Sequence, residues 1–268
     1  AVCAMPTSGA CSITATAAQG TAADPAQASA NPGQLITLNG TALDLNTEVV
    51  FQMINEAGTR FDYTVRPSFI HTDGSVGVYV PTTAVTGVVR VVGSAVSVPL
   101  QIVPVVRDVQ VESVAGDGSF AVVLVYGQGF TEGDAEYRFG NAVVRDETVQ
   151  SGPDEFSNGT VVRLTLPLSG GAFGGVSVKT AGGVSGVYTV SLAGVQAVAL
   201  SGTPADAAVA SANAGQTVKL LGTGLTLGTD VLLKWVNHVG GVEMLRLNPT
   251  QVSADGTSAQ LDLPAYVN

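Results

Sequence analysis

The sequence copies itself. Residues 28–34 read Ala-Ser-Ala-Asn-Pro-Gly-Gln, and residues 210–216 read Ala-Ser-Ala-Asn-Ala-Gly-Gln, 182 positions later. The offset holds without a gap from Ile13/Val195 to Gly74/Gly256, and 25 of those 62 positions are identical. A stretch this long, written twice, specifies one structural unit used twice. The shared positions follow the logic of strands. Ile36 and Leu38 correspond to Val218 and Leu220 on one face; Val49, Phe51 and Met53 correspond to Val231, Leu233 and Trp235. Polar partners such as Gln52 and Lys234 fall between them, the period-two alternation of a half-buried strand. Gly40-Thr41 and Gly222-Thr223 are expected to break the first of these strands at a turn, where glycine permits positive φ.

A weaker third copy lies in between. Residues 123–126 followed by Gly127-Gln128-Gly129-Phe130 parallel 35–40 and Leu43, and Ala135, Tyr137 and Phe139 continue the alternation. Val162, Leu164 and Leu166 before Pro167 parallel Val76, Val78 and Val80 before Pro81. Each unit spans about 90 residues, a normal size for one β-sandwich. The expected division is a cysteine-containing segment over 1–12 and sandwiches over 13–104, 105–194 and 195–268. The last copy stops early: nothing corresponds to 87–92 or 96–103. A sandwich without those strands has an open edge. Either more chain follows Asn268, which is the favoured expectation, or a neighbouring chain supplies the strands.

Composition supports an all-β reading and excludes several functions. Apolar residues make up 46% and charged ones 12%, with 33 glycines, so the chain is not intrinsically disordered. The net charge is −10, with Lys179, Lys219 and Lys234 as the only lysines. Nucleic-acid binding needs a cationic face for counterion release, and this chain has none. The apolar stretch 76–106 is interrupted by Pro81, Arg90, Pro99 and Pro104, which favours successive strands over a membrane span. Ala1 is followed by no charged-then-apolar leader, so the sequence reads as already processed or as part of something larger.

The run Ala214-Gly215-Gln216-Thr217-Val218-Lys219-Leu220-Leu221-Gly222-Thr223-Gly224-Leu225, with Gly40-Thr41-Ala42-Leu43, Pro81 and Gly87-Val88-Val89 in the first copy, resembles the IPT/TIG family of immunoglobulin-like domains. The resemblance covers nearly everything after residue 12. It implies three tandem E-set sandwiches, the third incomplete, as in arrays of large bacterial surface proteins. It also implies spacing, presentation or fibre assembly, with other copies or surface and matrix ligands as partners. The signature is more informative about fold than about function.

Candidate chemistry is sparse. Cys3 and Cys11 lie eight positions apart; a small disulfide loop is the favoured reading, two free thiols remain open, and a metal site lacks further ligands. His71 and His238 are the only histidines, and neither occupies a repeated position. The acidic runs at 132–136, 146–147 and 154–155 lack the Asp-x-Asp-x-Asp-Gly form of a calcium loop. Gly127-Gln128-Gly129 and Gly222-Thr223-Gly224 lack the helix that would make them phosphate loops. Asn39 and Asn158 head glycosylation sequons, and Trp235 is expected to face inward.

The sequence thus predicts no catalytic residue, no cofactor and no metal. It predicts a structural or adhesive module of a secreted or cell-surface repeat protein. The alternative is an accessory carbohydrate-binding or spacer module of a secreted polysaccharide-degrading enzyme.

Overall fold

In the computed structural model the described residues are 9–55, 57–146, 154–157, 159–168 and 171–267. Cys3, Glu147 and Asn158 lie outside them, and with Cys3 the proposed disulfide partner of Cys11. The fold is all-β: the described residues form 24 strands in six sheets, with no helix. No helix among them is therefore long and apolar enough to cross a membrane.

In the first part of the chain, β1 (Gly9–Thr14), β4 (Leu35–Thr41), β8 (Val76–Tyr79) and β7 (Phe69–Ile70) form one antiparallel sheet in the order β1-β4-β8-β7. A second sheet runs β3 (Ser29–Ala30), β10 (Ser97–Ile102), β9 (Gly87–Val91), β5 (Val49–Ile54), β6 (Arg60–Val65). Ile36, Leu38, Val76 and Val78 from one sheet meet Val49, Phe51, Val89, Leu100 and Ile102 from the other in one buried cluster. This is the interdigitated interior of a sandwich.

The central part repeats the plan. β11 (Val105–Val114), β12 (Phe120–Gln128), β16 (Val161–Pro167) and β15 (Asp154–Ser157) make the first sheet, in that order. The second contains β14 (Ala142–Arg145), β13 (Glu136–Phe139), β17 (Val176–Thr180) and β18 (Gly183–Val184). Its fifth strand is β2 (Thr21–Ala22), contributed by the first part of the chain. Phe130 and Tyr137 meet edge to face at 5.7 Å inside this core.

The last part has β19 (Ser191–Gln196), β20 (Thr217–Thr223), β24 (Ser258–Asp262) and β23 (Gln251–Val252) in one sheet. Its second sheet is only the hairpin β21 (Val231–Val236) and β22 (Val242–Leu247). Where β5 carries β9 and β13 carries β17 on the far edge, no strand among the described residues lies beside β21. Its cluster is correspondingly small: Val218, Leu220, Leu225, Ala259 and Leu261 are buried, whereas Val231, Leu233 and Trp235 are only half covered.

The copies agree in detail. Asn55 Oδ1 accepts from the Ala57 and Thr59 amides, and Asn237 Oδ1 from those of Val239 and Gly241, closing the same hairpin turn. β1 and β19 are irregular at the same place, between Ala10 and Ser12 and between Leu192 and Gly194. One expectation is corrected. β4 and β20 do end at Gly40-Thr41 and Gly222-Thr223, but both pairs are still in the paired strand and not in the turn. The left-handed residue comes one position later, at Ala42 (φ 52°) and Gly224 (φ 70°). Glycine at 222 serves the approach of the neighbouring strand, since a Cβ there would sit 1.9 Å from the Ser191 carbonyl oxygen.

Candidate interaction surface

Side chains with chemical potential are scattered rather than convergent. His71 is half-buried and meets Phe69 edge to face at 4.7 Å, while His238 sits in the β21–β22 turn. Glu136 is engaged by Arg138, whose Nε donates at 2.6 Å, and by Arg145 at 3.4 Å. The Arg138 hydrogen bond holds the Glu136 carboxyl below its usual range. Asp134 accepts the Ala181 amide at 3.3 Å, and Glu132 and Asp146 are buried nearby. Among the described residues no three His, Cys, Asp or Glu side chains are grouped to hold a metal ion. Asn39 donates to Ser12 and Thr14 across the β1–β4 pair, so its amide is built into the sheet.

Two features join the parts of the chain. The first is β2. Thr21 pairs with Val184 and Ala22 with Gly183, and the Ala23 amide donates to the Gly182 carbonyl at 3.2 Å. A loop of one sandwich thus completes the sheet of the next. The fit is close: a Cβ on Gly20 would lie 2.4 Å from the Val184 oxygen, and one on Gly182 would lie 2.0 Å from the Ile102 oxygen. Beside this junction is an open cleft of about 550 Å³, with Ala18 and Gly33 on one side and Val105 and Arg107 on the other.

The second is Asp230, whose side chain is 5% exposed. It accepts from Arg246 Nε at 2.7 Å, from Asn248 Nδ2 at 2.8 Å and from the Val111 amide. Arg246 also donates to the Glu112 carbonyl at 3.2 Å, and the Met244 amide donates to that of Gly116. The irregularity in β11 between Val111 and Ser113 interrupts its ladder at this contact.

Sequence reasoning missed both junctions, and it missed two exposed aromatics. Phe61 and Tyr63 on the edge strand β6 lie across from Met53 and Phe51, yet they are 43% and 47% exposed. Trp235, expected inside, is half-buried and meets the exposed Tyr266 at 5.6 Å.

No protein-family model and no curated protein matches the chain. Among solved structures it is similar to a crystal structure of a tetra-tandem repeat in the extending region of a large adhesion protein. The identity is 16% and the TM-score 0.22; the match covers 87% of this chain and 62% of that one. This chain therefore spans less than two thirds of that structure.

Proposed function

We propose that the chain is a non-catalytic structural or adhesive module of a secreted or cell-surface repeat protein, built as three tandem immunoglobulin-like sandwiches of the IPT/TIG kind. The observation that carries the reading is the passage of β2 into the sheet of the following sandwich. Hydrogen bonds between backbones couple neighbouring units without depending on particular side chains. Units coupled this way resist bending and pulling, which suits a spacer. The hairpin β21–β22, which no strand among the described residues pairs with on the far side of β21, adds a place where strands of a neighbouring chain would complete the third sandwich.

Pulling the chain from its two ends tests this reading. Units of about 90 residues should release about 300 Å of contour each, at 3.3–3.6 Å per residue. Separate events of that size are expected. Smooth extension without discrete events would overturn the mechanical reading.

Phe61 and Tyr63 support a second reading, an accessory carbohydrate-binding module, because exposed rings two positions apart on an edge strand can stack on sugar faces. A glycan array should then show binding that Tyr63→Ala removes. An array with no signal above background would eliminate it.

A further inference from the structure

The scaffold that presents β2 is built again in the third sandwich, where no strand among the described residues pairs with it. In the first copy Ser29 Oγ accepts the Ala17 amide at 3.1 Å, and Asn31 Oδ1 accepts that of Gln19 at 2.8 Å. Asn31 Nδ2 returns to the Gln19 carbonyl at 3.0 Å, and Gln34 Nε2 donates to the Thr16 carbonyl at 2.7 Å. At the same offset, Ser211 Oγ accepts from Ala199 at 3.2 Å and Asn213 Oδ1 from Ser201 at 2.9 Å. Asn213 Nδ2 returns to Ser201 at 3.2 Å, and Gln216 Nε2 donates to Val198 at 2.8 Å. Gly20 and Gly202 share the left-handed conformation, with φ of 78° and 81°. Asp24 and Asp206 close equivalent turns onto the amides of Ala26 and Ala208.

The surroundings differ. A Cβ at Gly20 would strike Val184, whereas one at Gly202 would meet nothing within 4 Å. Val198 and Leu200, on the same loop, are 77% and 85% exposed. We propose that residues 198–206 form a preorganised tongue that adds a strand to the open sheet edge of another sandwich of the central kind.

The chemistry of the occupant follows from the existing junction. It is an antiparallel edge strand with the character of Gly182-Gly183-Val184, in a sheet one strand short, as the central sheet is without β2. The tongue has the right donors. The Ala23 amide bonds to Gly182, so the alternation of an antiparallel ladder leaves Ala22 at a position that donates nothing across it. Pro204 stands at the counterpart of Ala22, the place where losing an N–H costs no bond. Thr203 and Ala205 keep the donors of Thr21 and Ala23. Leu200 replaces Ala18, which borders the cleft against Val105; a leucine there fills that cleft with apolar volume. A second copy of this chain does not fit, because its β18 already carries its own β2.

The inference rests on the tandem-array reading, and one experiment separates the two. Residues 82–190 are joined a second time behind Pro264, supplying the third sandwich with β9 and β10 and then a second central sandwich. Backbone amide exchange is followed residue by residue. The inference expects exchange at Thr203 and Ala205 to slow at least about tenfold relative to the parent, reaching the protection of Thr21 and Ala23. Protection throughout the added sandwich with unchanged exchange at Thr203 and Ala205 would overturn the inference and leave the array standing. Added strands that stay unprotected would overturn the array and the inference with it. A measurement on the unextended chain stands independently: the Ser201 amide, bonded to Asn213, should exchange slowly without any partner. Exchange there at the rate of an unstructured chain would show that the tongue is not preformed and would overturn the proposal.

Discussion

At the scale of single residues, the repeated turns are held by short acidic side chains. Asp255 Oδ1 accepts from Ser253 Oγ at 2.7 Å, from the Thr257 amide at 3.1 Å and from Thr257 Oγ1 at 2.8 Å. These bonds, the Ser253 hydroxyl first, pull its carboxyl down to about 2. Asp73, at the same place in the first copy, is lowered by the Ser75 hydroxyl and amide. The folded value lies below the unfolded one, so the stabilisation is present above the ordinary carboxylate range and is lost as pH falls through about 2. A carboxyl-detected NMR titration should place the Asp255 midpoint near 2, and Ser253→Ala should raise it. An Asp255 midpoint in the ordinary range would contradict the turn geometry. Tyr188 behaves in the opposite sense: burial, then the Asp108 carboxylate beside its hydroxyl, pushes it up to about 12.

At the scale of elements, the alternating strands were legible and the junctions were not. Ile36 and Leu38, or Val162 and Leu164, declare their faces because every second residue is apolar. The Gly-Thr pairs at 40 and 222 misled, because a tight turn and a close strand crossing both demand a residue without Cβ. β2 carries no such signal: it has two residues, and its partner lies about 160 positions away. The retained Gly-Thr and Ala-Asp pairs at 20–21 and 23–24, and at 202–203 and 205–206, were its trace. Phe61 and Tyr63 alternate as core residues do, but β6 is an edge strand whose side chains overhang the core. Asp230 is equally silent in sequence, since its counterpart Glu48 pairs instead with the exposed Arg66. Replacing Asp230 by Ala removes the acceptor of Arg246 Nε and of the Val111 amide, at a cost of about 1–3 kcal/mol. Thermal unfolding of Asp230→Ala should therefore show the last sandwich melting earlier while the first two keep their midpoint. An unchanged melting profile would show that the clasp contributes nothing.

At the scale of the whole molecule, stability should be graded along the chain. The first two cores bury strands from both sheets, and β2 ties them together. The third has one full sheet, a two-stranded hairpin and a smaller buried cluster, so it gains less from removing apolar surface from water. Local opening free energies follow buried contact, and each sandwich is expected to open as its own cooperative unit. Native-state hydrogen exchange under rising denaturant reports this residue by residue. The amides of β20 and β24 should merge into one group that opens at low denaturant. Those of β4 with β8, and of β12 with β16, should form more resistant groups, with Ala23 following the central one. A single isotherm shared by β4, β12 and β20 would contradict a chain of separate sandwiches.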